Sequence, residues 1–286
     1  NDHDLGFLFN NSYGKAYKIT NDKKYKQVLI DASNSLITRF NKNVGCIQSW
    51  DLKDNWQSKK GWSFPVIIDN MMNLEMLFEV SKLTGDEKYK EIAITHANTT
   101  MKNHFRPDGS SYHVIDYNPQ TGNVISKITA QGYSDESAWA RGQAWGLYSF
   151  TMCYRYTHDK KYLDFAEKIA KFILNNPNYP KDGVPYWDFN APNIPNAPRD
   201  ASSGAILASG LIELSSYTND KYLKQATHIL KSLASDAYTA KLGENGHFVL
   251  KNSVGSLPMG NEVSVPLNYA DYYYIEALLG LKKRGI

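Results

Sequence analysis

One short pattern recurs four times along the chain, as Thr20-Asn-Asp-Lys-Lys-Tyr25, Thr84-Gly-Asp-Glu-Lys-Tyr89, Thr157-His-Asp-Lys-Lys-Tyr162 and Thr218-Asn-Asp-Lys-Tyr222. Each copy follows a stretch with apolar residues at helical spacing, such as Leu74, Met76, Leu77, Val80 and Leu83. Each precedes another, such as Tyr162, Phe165, Ala166, Ile169 and Phe172. The Asp at its centre (Asp22, Asp86, Asp159, Asp220) can accept hydrogen bonds from the free N–H groups of the next helix, and the Tyr packs back on the hairpin. The pattern therefore reads as the tight turn of a helix–helix hairpin.

The other connections are long: residues 41–65, 106–136, 177–200 and 240–267. They carry turn material such as Pro107-Asp-Gly109 and Lys181-Asp-Gly183, and Tyr112–Tyr117 with Val124–Ile128 reads as a small β-hairpin about Asn118–Asn123. The predicted helices are 5–20, 22–40, 66–84, 86–105, 137–157, 159–176, 201–218, 220–238 and 268–284. In a stack or closed ring of antiparallel helix pairs, alternating short and long connections put the turns at one end and the loops at the other. Function belongs at the loop end. The last helix lacks a partner in this set, and a partner from a preceding segment would supply one. The expectation is a single all-α domain over 1–286 whose first helices are missing.

Composition removes several classes of function. The 286 residues are 42% hydrophobic with a net charge of +3, and the charges are interspersed, which predicts no nucleic-acid footprint and no basic membrane patch. No apolar run is long enough to span a bilayer. Two cysteines, Cys46 and Cys153, exclude a disulfide framework and read as two free thiols or as one bridge. The start, Asn-Asp-His-Asp, has neither initiator Met nor signal peptide and looks like the interior of a longer chain, which leaves the compartment between cytoplasm and periplasm. The seven His are scattered, with no metal-ligand spacing, and no Gly-rich phosphate loop is present, so no metal or other cofactor is expected. Twenty Tyr and six Trp are many, and Trp50, Trp56 and Trp187 fall in predicted loops. Flat rings with polar edges suit sugars, although large proteins also bury aromatics for stability.

Several polar residues stand out at the loop end. Asp69 lies between two apolar pairs in Pro65-Val-Ile-Ile-Asp-Asn-Met-Met-Asn73, and His3-Asp4 precedes the apolar stretch Leu5–Phe9. Either aspartate alone reads as a helix cap. Capping needs no apolar surround, however, and burial beside a second carboxylate favours the protonated acid that general acid catalysis uses, against the helix dipole. His113 is a surface or hydrogen-bonded histidine on one reading and catalytic on another. Arg141 pairs with Asp135 or Glu136, or contacts substrate. Of Trp139 and Trp145, one could line a pocket and the other the core, while Trp187 either stacks on a ring or anchors its loop.

At these residues the sequence resembles the unsaturated glucuronyl hydrolases of glycoside hydrolase family 88. The matching elements are His3-Asp4-Leu-Gly-Phe7, Ile68-Asp69-Asn-Met-Met-Asn73, Trp139-Ala-Arg-Gly-Gln-Ala-Trp145 and Asp271-Tyr-Tyr-Tyr-Ile-Glu-Ala277. The related rhamnogalacturonyl hydrolases usually read Arg-Gly-Asn-Gly-Trp where this chain has Arg141-Gly-Gln-Ala-Trp145. The resemblance implies an (α/α)6 barrel, with Asp69 as the catalytic acid/base and Asp4 as the second essential carboxylate. It also implies pocket contacts from His113, Gln131, Trp139 and Trp145, with His3 beside Asp4; Arg141, Trp187 and Ser256 are further candidate substrate-binding residues read from the sequence. The implied substrate is an oligosaccharide ending in a 4,5-unsaturated uronic acid, the product of a polysaccharide lyase. Relatives acting on sulfated glycosaminoglycans carry Ser-x-x-Ser-x-Lys, whereas Ser253-Val-Gly-Ser256-Leu-Pro258 has Pro in place of Lys, which argues against a sulfate preference. Two rival readings remain, a rhamnogalacturonyl hydrolase acting on pectin fragments and a non-catalytic carbohydrate-binding helical repeat. Oligomeric state leaves no mark in the sequence.

Overall fold

The computed structural model describes residues 3–53 and 59–286, so Trp56 lies outside the described residues. Its contacts group the chain into two compact units. The first comprises Asn1–Phe105, Val114–Ile128 and Arg155–His158, and the second Arg106–His113, Thr129–Tyr154 and Asp159–Ile286.

In the first unit, helix α1 (Leu5–Phe9) runs through a π turn (Asn10–Gly14) into α2 (Lys15–Thr20), followed by α3 (Lys23–Ile37). Short strands β1 (Phe40–Asn41) and β2 (Cys46–Ile47) pair, and β3 (Pro65–Ile67) leads into a 3-10 helix (Ile68–Asn73), α4 (Leu74–Thr84) and α5 (Lys88–Asn103). The stretch 66–84 is therefore not one helix. Pro65 and the branched Val66 and Ile67 take an extended path, because β3 pairs antiparallel with β4 (Val114–Tyr117), which pairs in turn with β5 (Val124–Ile128). The β4–β5 hairpin is the one expected about Asn118–Asn123, its first strand starting at Val114. The sheet and helices enclose Leu36, Ile47, Val66, Ile68, Met71, Leu77 and Phe78.

In the second unit, α6 (Ala140–Thr157), whose last turn belongs to the first unit, is followed by α7 (Lys160–Leu174), α8 (Ala201–Tyr217), α9 (Leu223–Leu233) and α10 (Asn268–Lys283). A second hairpin, β6 (Ser253–Ser256) with β7 (Asn261–Val265), falls in a connection that the sequence reads as loop. Helix α8 packs on α7, α9 and α10, and fourteen of its residues are buried, from Ala201 to Ser215. Cys46 and Cys153 are both buried free thiols.

The repeated turn works through its first three residues. The second position is left-handed in every copy, at Asn21, Gly85, His158 and Asn219. That conformation ends the preceding helix by turning its last carbonyls onto the next N–H groups, and Gly and Asn reach it at least cost. The Thr hydroxyl then accepts from the Asp N–H, as in Thr20 with Asp22 and Thr84 with Asp86, both at 3.2 Å. The Asp carboxylate caps the next helix: Asp22 accepts from Lys24 N at 2.8 Å, Asp86 from Lys88 N at 3.0 Å and Asp159 from Lys161 N at 3.1 Å. The fourth copy departs from the expectation. It is one residue shorter, Asp220 is itself left-handed, and its carboxylate binds Arg284 instead while α9 starts only at Leu223.

Candidate active-site groups

In the first unit, Asp69 occupies the first turn of the 3-10 helix directly after β3, half-buried, with its Oδ2 enclosed. The strand before it is tied on several sides. Ser49 Oγ accepts from Ile67 N at 2.8 Å, Asn70 donates to Ile47 O at 2.7 Å, and the buried Asp116 accepts from Ser63 N and Phe64 N at 2.9 and 2.8 Å. Asp69 is not the cap residue of its helix, a place held by Ile67. Asp4 does stand at the cap of α1, but its carboxylate makes no capping bond. The simple capping reading therefore accounts for neither side chain.

The elements carrying these two aspartates touch. Phe7 N donates to Asn73 Oδ1 at 3.1 Å, and a Cβ on Gly6 would lie 2.5 Å from Asn73 Cα. Only glycine permits α1 to approach the 3-10 helix this closely. His3 Nε2 lies 3.4 Å from Asp4 Oδ1, and the His3 side chain is 13% exposed against 42% for Asp4. The His3 ring meets Trp50 edge-on at 6.3 Å, and Trp50 stacks on Trp62 at 5.4 Å. His3, Asp4 and Trp50 thus stand beside one another, joined by Trp62, which the sequence reading passed over.

In the second unit, segments from several long loops converge. His113 Nδ1 accepts from Ala130 N at 3.0 Å and Gln131 N at 3.1 Å, and its ring lies 4.6 Å from that of Trp139. Gln131 Nε2 donates to Gly255 O at 3.0 Å. Arg141 donates to Val254 O and, at 2.9 Å, to Gly255 O, and its guanidinium lies 4.4 Å from the Trp139 ring centre. These bonds hold β6 and with it the buried Ser256. Trp145 packs edge-on against Tyr273 at 5.5 Å, and both Trp139 and Trp145 are buried. Trp187 is buried as well, its main chain fixed by Trp187 N to Pro198 O at 3.0 Å and Ala140 N to Trp187 O at 3.1 Å.

Two buried carboxylates organise this convergence, and the sequence reading named neither as a site residue. Asp200 caps α8 through Ser202 N at 3.1 Å and also accepts from Val254 N at 3.2 Å; its Oδ2 lies 3.7 Å from Arg141 Nη1. Arg141 thus pairs with Asp200, while its sequence neighbours serve others: Asp135 accepts from Thr129 N and Glu136 meets Arg106. Asp188 accepts from Ser137 Oγ at 2.7 Å, Tyr133 N at 2.9 Å and Asn190 N at 2.8 Å. Burial pushes its carboxyl above the usual range, against the pull of those donors. The Asp200-Ala-Ser-Ser203 start of α8 is a capping signature that could have flagged Asp200. Nothing local marks Asp188.

Carboxylates on touching elements, indole rings and loops crowded with donors describe a carbohydrate-active enzyme on a helical-hairpin scaffold. The chain belongs to glycosyl hydrolase family 88, whose model matches residues 6–280. It is 51% identical over 278 residues to an unsaturated glucuronyl hydrolase of Formosa agariphila, covering 96% of this chain and 68% of that one. It is 33% identical to an unsaturated chondroitin disaccharide hydrolase of Streptococcus agalactiae, covering 98% and 70%. Among solved structures it is similar to an unsaturated glucuronyl hydrolase described as specific for heparin, with a TM-score of 0.95, 52% identity, and coverage of 100% of this chain and 76% of that one. A second, from Bacillus sp. GL1, gives a TM-score of 0.91 at 32% identity, covering 99% and 75%. The fold class is thus the all-α, (α/α)6-barrel type implied by the sequence motifs.

Proposed function

We propose that the chain removes a 4,5-unsaturated uronic acid from the non-reducing end of lyase-generated oligosaccharides by hydrating its vinyl ether. The observation that carries this reading is the pair of motif aspartates, Asp4 and Asp69, on elements pressed together at Gly6 and Asn73. Asp69 donates its proton to C4 of the unsaturated ring, leaving positive charge shared between C5 and the ring oxygen. The same carboxylate then accepts a proton from a water that attacks C5, so the group ends as it began. The hemiketal formed opens and releases the remaining sugar. Unlike ordinary glycosidases, this route leaves the anomeric centre out of the bond-making step.

Asp4, steadied by His3, orients the substrate hydroxyls. His113, Gln131, Trp139, Trp145, Arg141, Trp187 and Ser256 supply sugar contacts. Pro258, in a short 3-10 turn (Leu257–Met259) after Ser256, takes the place of the Lys in the Ser-x-x-Ser-x-Lys element, so that side chain does not contribute to reading a sulfate here.

The test follows loss of the unsaturated uronate's ultraviolet absorbance on lyase-made disaccharides from glycosaminoglycans, gellan, ulvan and pectin. Turnover of pectin products alone would assign the rhamnogalacturonyl reading, and no turnover of any would overturn both enzymatic ones. Asp69→Asn is expected to lower kcat by at least about 100-fold while the circular dichroism spectrum is kept. Activity retained in that variant would move the acid role elsewhere.

A further inference from the structure

Three fully buried polar atoms of the first unit, Asn70 Oδ1, His96 Nε2 and Thr100 Oγ1, meet no hydrogen-bond partner among the described residues. Folded proteins seldom leave such atoms unsatisfied. Asn70 and His96 hold the two polar groups of one strand residue: Asn70 Nδ2 donates to Ile47 O at 2.7 Å, and His96 Nδ1 accepts from Ile47 N at 3.0 Å. In an extended strand the N–H and C=O of one residue point the same way, so the Asn70 amide and the His96 ring stand side by side. Thr100 follows His96 by four residues on α5, which puts both on one helix face with about 5–6 Å between their Cβ atoms. Helix α5 in turn packs on β2 and on the 3-10 helix that carries Asp69.

The bonds already made decide what each remaining atom can do. A His96 Nδ1 that accepts from an amide leaves the ring proton on Nε2, and an Asn70 nitrogen that donates to a carbonyl leaves Oδ1 as an acceptor. Thr100 can give or take, and the Cys46 thiol beside it is only a weak partner. The ring and the amide do not bond each other directly. A metal ion does not fit this set: an Nε2 that carries a proton cannot ligate, and among the described residues no three His, Cys, Asp or Glu come together. One donor, one acceptor and one hydroxyl around a single strand residue match a buried water, which makes about three hydrogen bonds.

We propose that a single internal water is bound here, accepting from His96 Nε2–H and donating to Asn70 Oδ1 and Thr100 Oγ1, and that it fastens the turn of Asp69 to α5. Asn70 directly follows Asp69 in the 3-10 helix, so it is a positioning residue, tied on one side to Ile47 O and on the other to the water. Thr100 touches neither Ile47 nor Asp69 through a printed bond of its own and acts only through that water. The water site does not depend on the activity proposed above; its effect on turnover rests on that activity.

The first test is a high-resolution crystal structure of the wild-type chain, in which one water should lie within hydrogen-bond distance of all three atoms. A direct bond between His96 and Asn70, or a site without water, would overturn the proposal. So would nitrogen-15 NMR at neutral pH that puts the His96 proton on Nδ1. The second test is kinetic. Thr100→Val removes the hydroxyl at nearly constant shape; it should displace the water and lower kcat about threefold to tenfold, with KM within about twofold of wild type. Thr100→Ser, which keeps the hydroxyl, should restore most of that loss. Asp159→Ala, which removes a helix cap in the second unit, controls for general destabilisation and should leave kcat as it is. An unchanged kcat in Thr100→Val, or an equal loss in Asp159→Ala, would refute the positioning role. A wild type that holds the water yet hydrolyses no unsaturated uronide would refute the proposed activity, and the positioning role with it, while the water site stands.

Discussion

Asp200 shows how one side chain can hold several segments of the second unit. It is fully buried, and its two oxygens meet the start of α8, the main chain of β6 and the Arg141 guanidinium. Arg141 in turn grips the carbonyls of Val254 and Gly255, so β6 is fastened by both its N–H and its C=O groups. A buried ion pair gives little net stability by itself, but removing one partner leaves a desolvated charge behind. Asp200→Ala should therefore cost about 3–5 kcal/mol, the helix cap included. Asp200→Asn keeps a carbonyl acceptor and should cost clearly less. Urea denaturation of the two variants measures this, and a loss below about 1 kcal/mol for the alanine variant would mean that Arg141 finds compensation elsewhere. Asp69 and Asp4 stood out in the sequence through their apolar neighbours and motif match. Asp200 and Asp188 did not, because their importance lies in partners such as Val254 and Tyr133 that are more than fifty residues away.

At the level of elements, the helical hairpins were legible because their signal is local. Three residues of the turn pattern contain a left-handed stop, a hydroxyl acceptor and a carboxylate cap, all within hydrogen-bond reach of one another. The region before Asp69 was misread for a related reason. Pro65-Val-Ile-Ile68 is an apolar run that fits a buried strand or a helix start equally well, and its pairing with Val114–Asp116 decides the matter from a distance. The fourth turn tests this account. With one residue fewer, Asp220 cannot reach the next N–H groups, and it pairs at the surface with Arg284 instead. Asp159→Ala should lower stability by about 1 kcal/mol through the lost cap. Asp220→Ala should leave the denaturation midpoint nearly unchanged, since exposed ion pairs contribute little. Equal losses in the two variants would show that the shorter copy caps its helix after all.

Across the molecule, the two units differ in the titratable groups that they bury. The first unit encloses His96 and His104, both on or just after α5. His96 accepts from Ile47 N through Nδ1 at 3.0 Å, and His104 Nε2 donates to Val66 O at 3.0 Å, so the pair fastens α5 to the strands ahead of Asp69. Burial pushes His96 down to about 3, helped by the charge of His104. Burial likewise takes His104 to about 4, against its bond to Val66 and with help from Lys127. Both rings are therefore neutral in the fold, while the unfolded chain binds protons below about pH 6.5. Because the folded values are depressed, the stability linked to these rings is complete above about pH 6.5. It is lost as pH falls toward about 4, at up to roughly 1.4 kcal/mol per pH unit for each ring. Carboxylates held below their ordinary range, such as Asp182 beside Arg199 and Glu75 beside Arg155, add to this loss only at lower pH, where unfolded carboxyls begin to protonate. Melting curves between pH 7 and pH 5 thus weigh the buried histidines ahead of the lowered carboxylates. His96→Asn, whose side-chain amide reaches the Nδ1 position and so keeps an acceptor near Ile47 N, should flatten the slope. A slope unchanged in that variant would place the acid sensitivity in other groups.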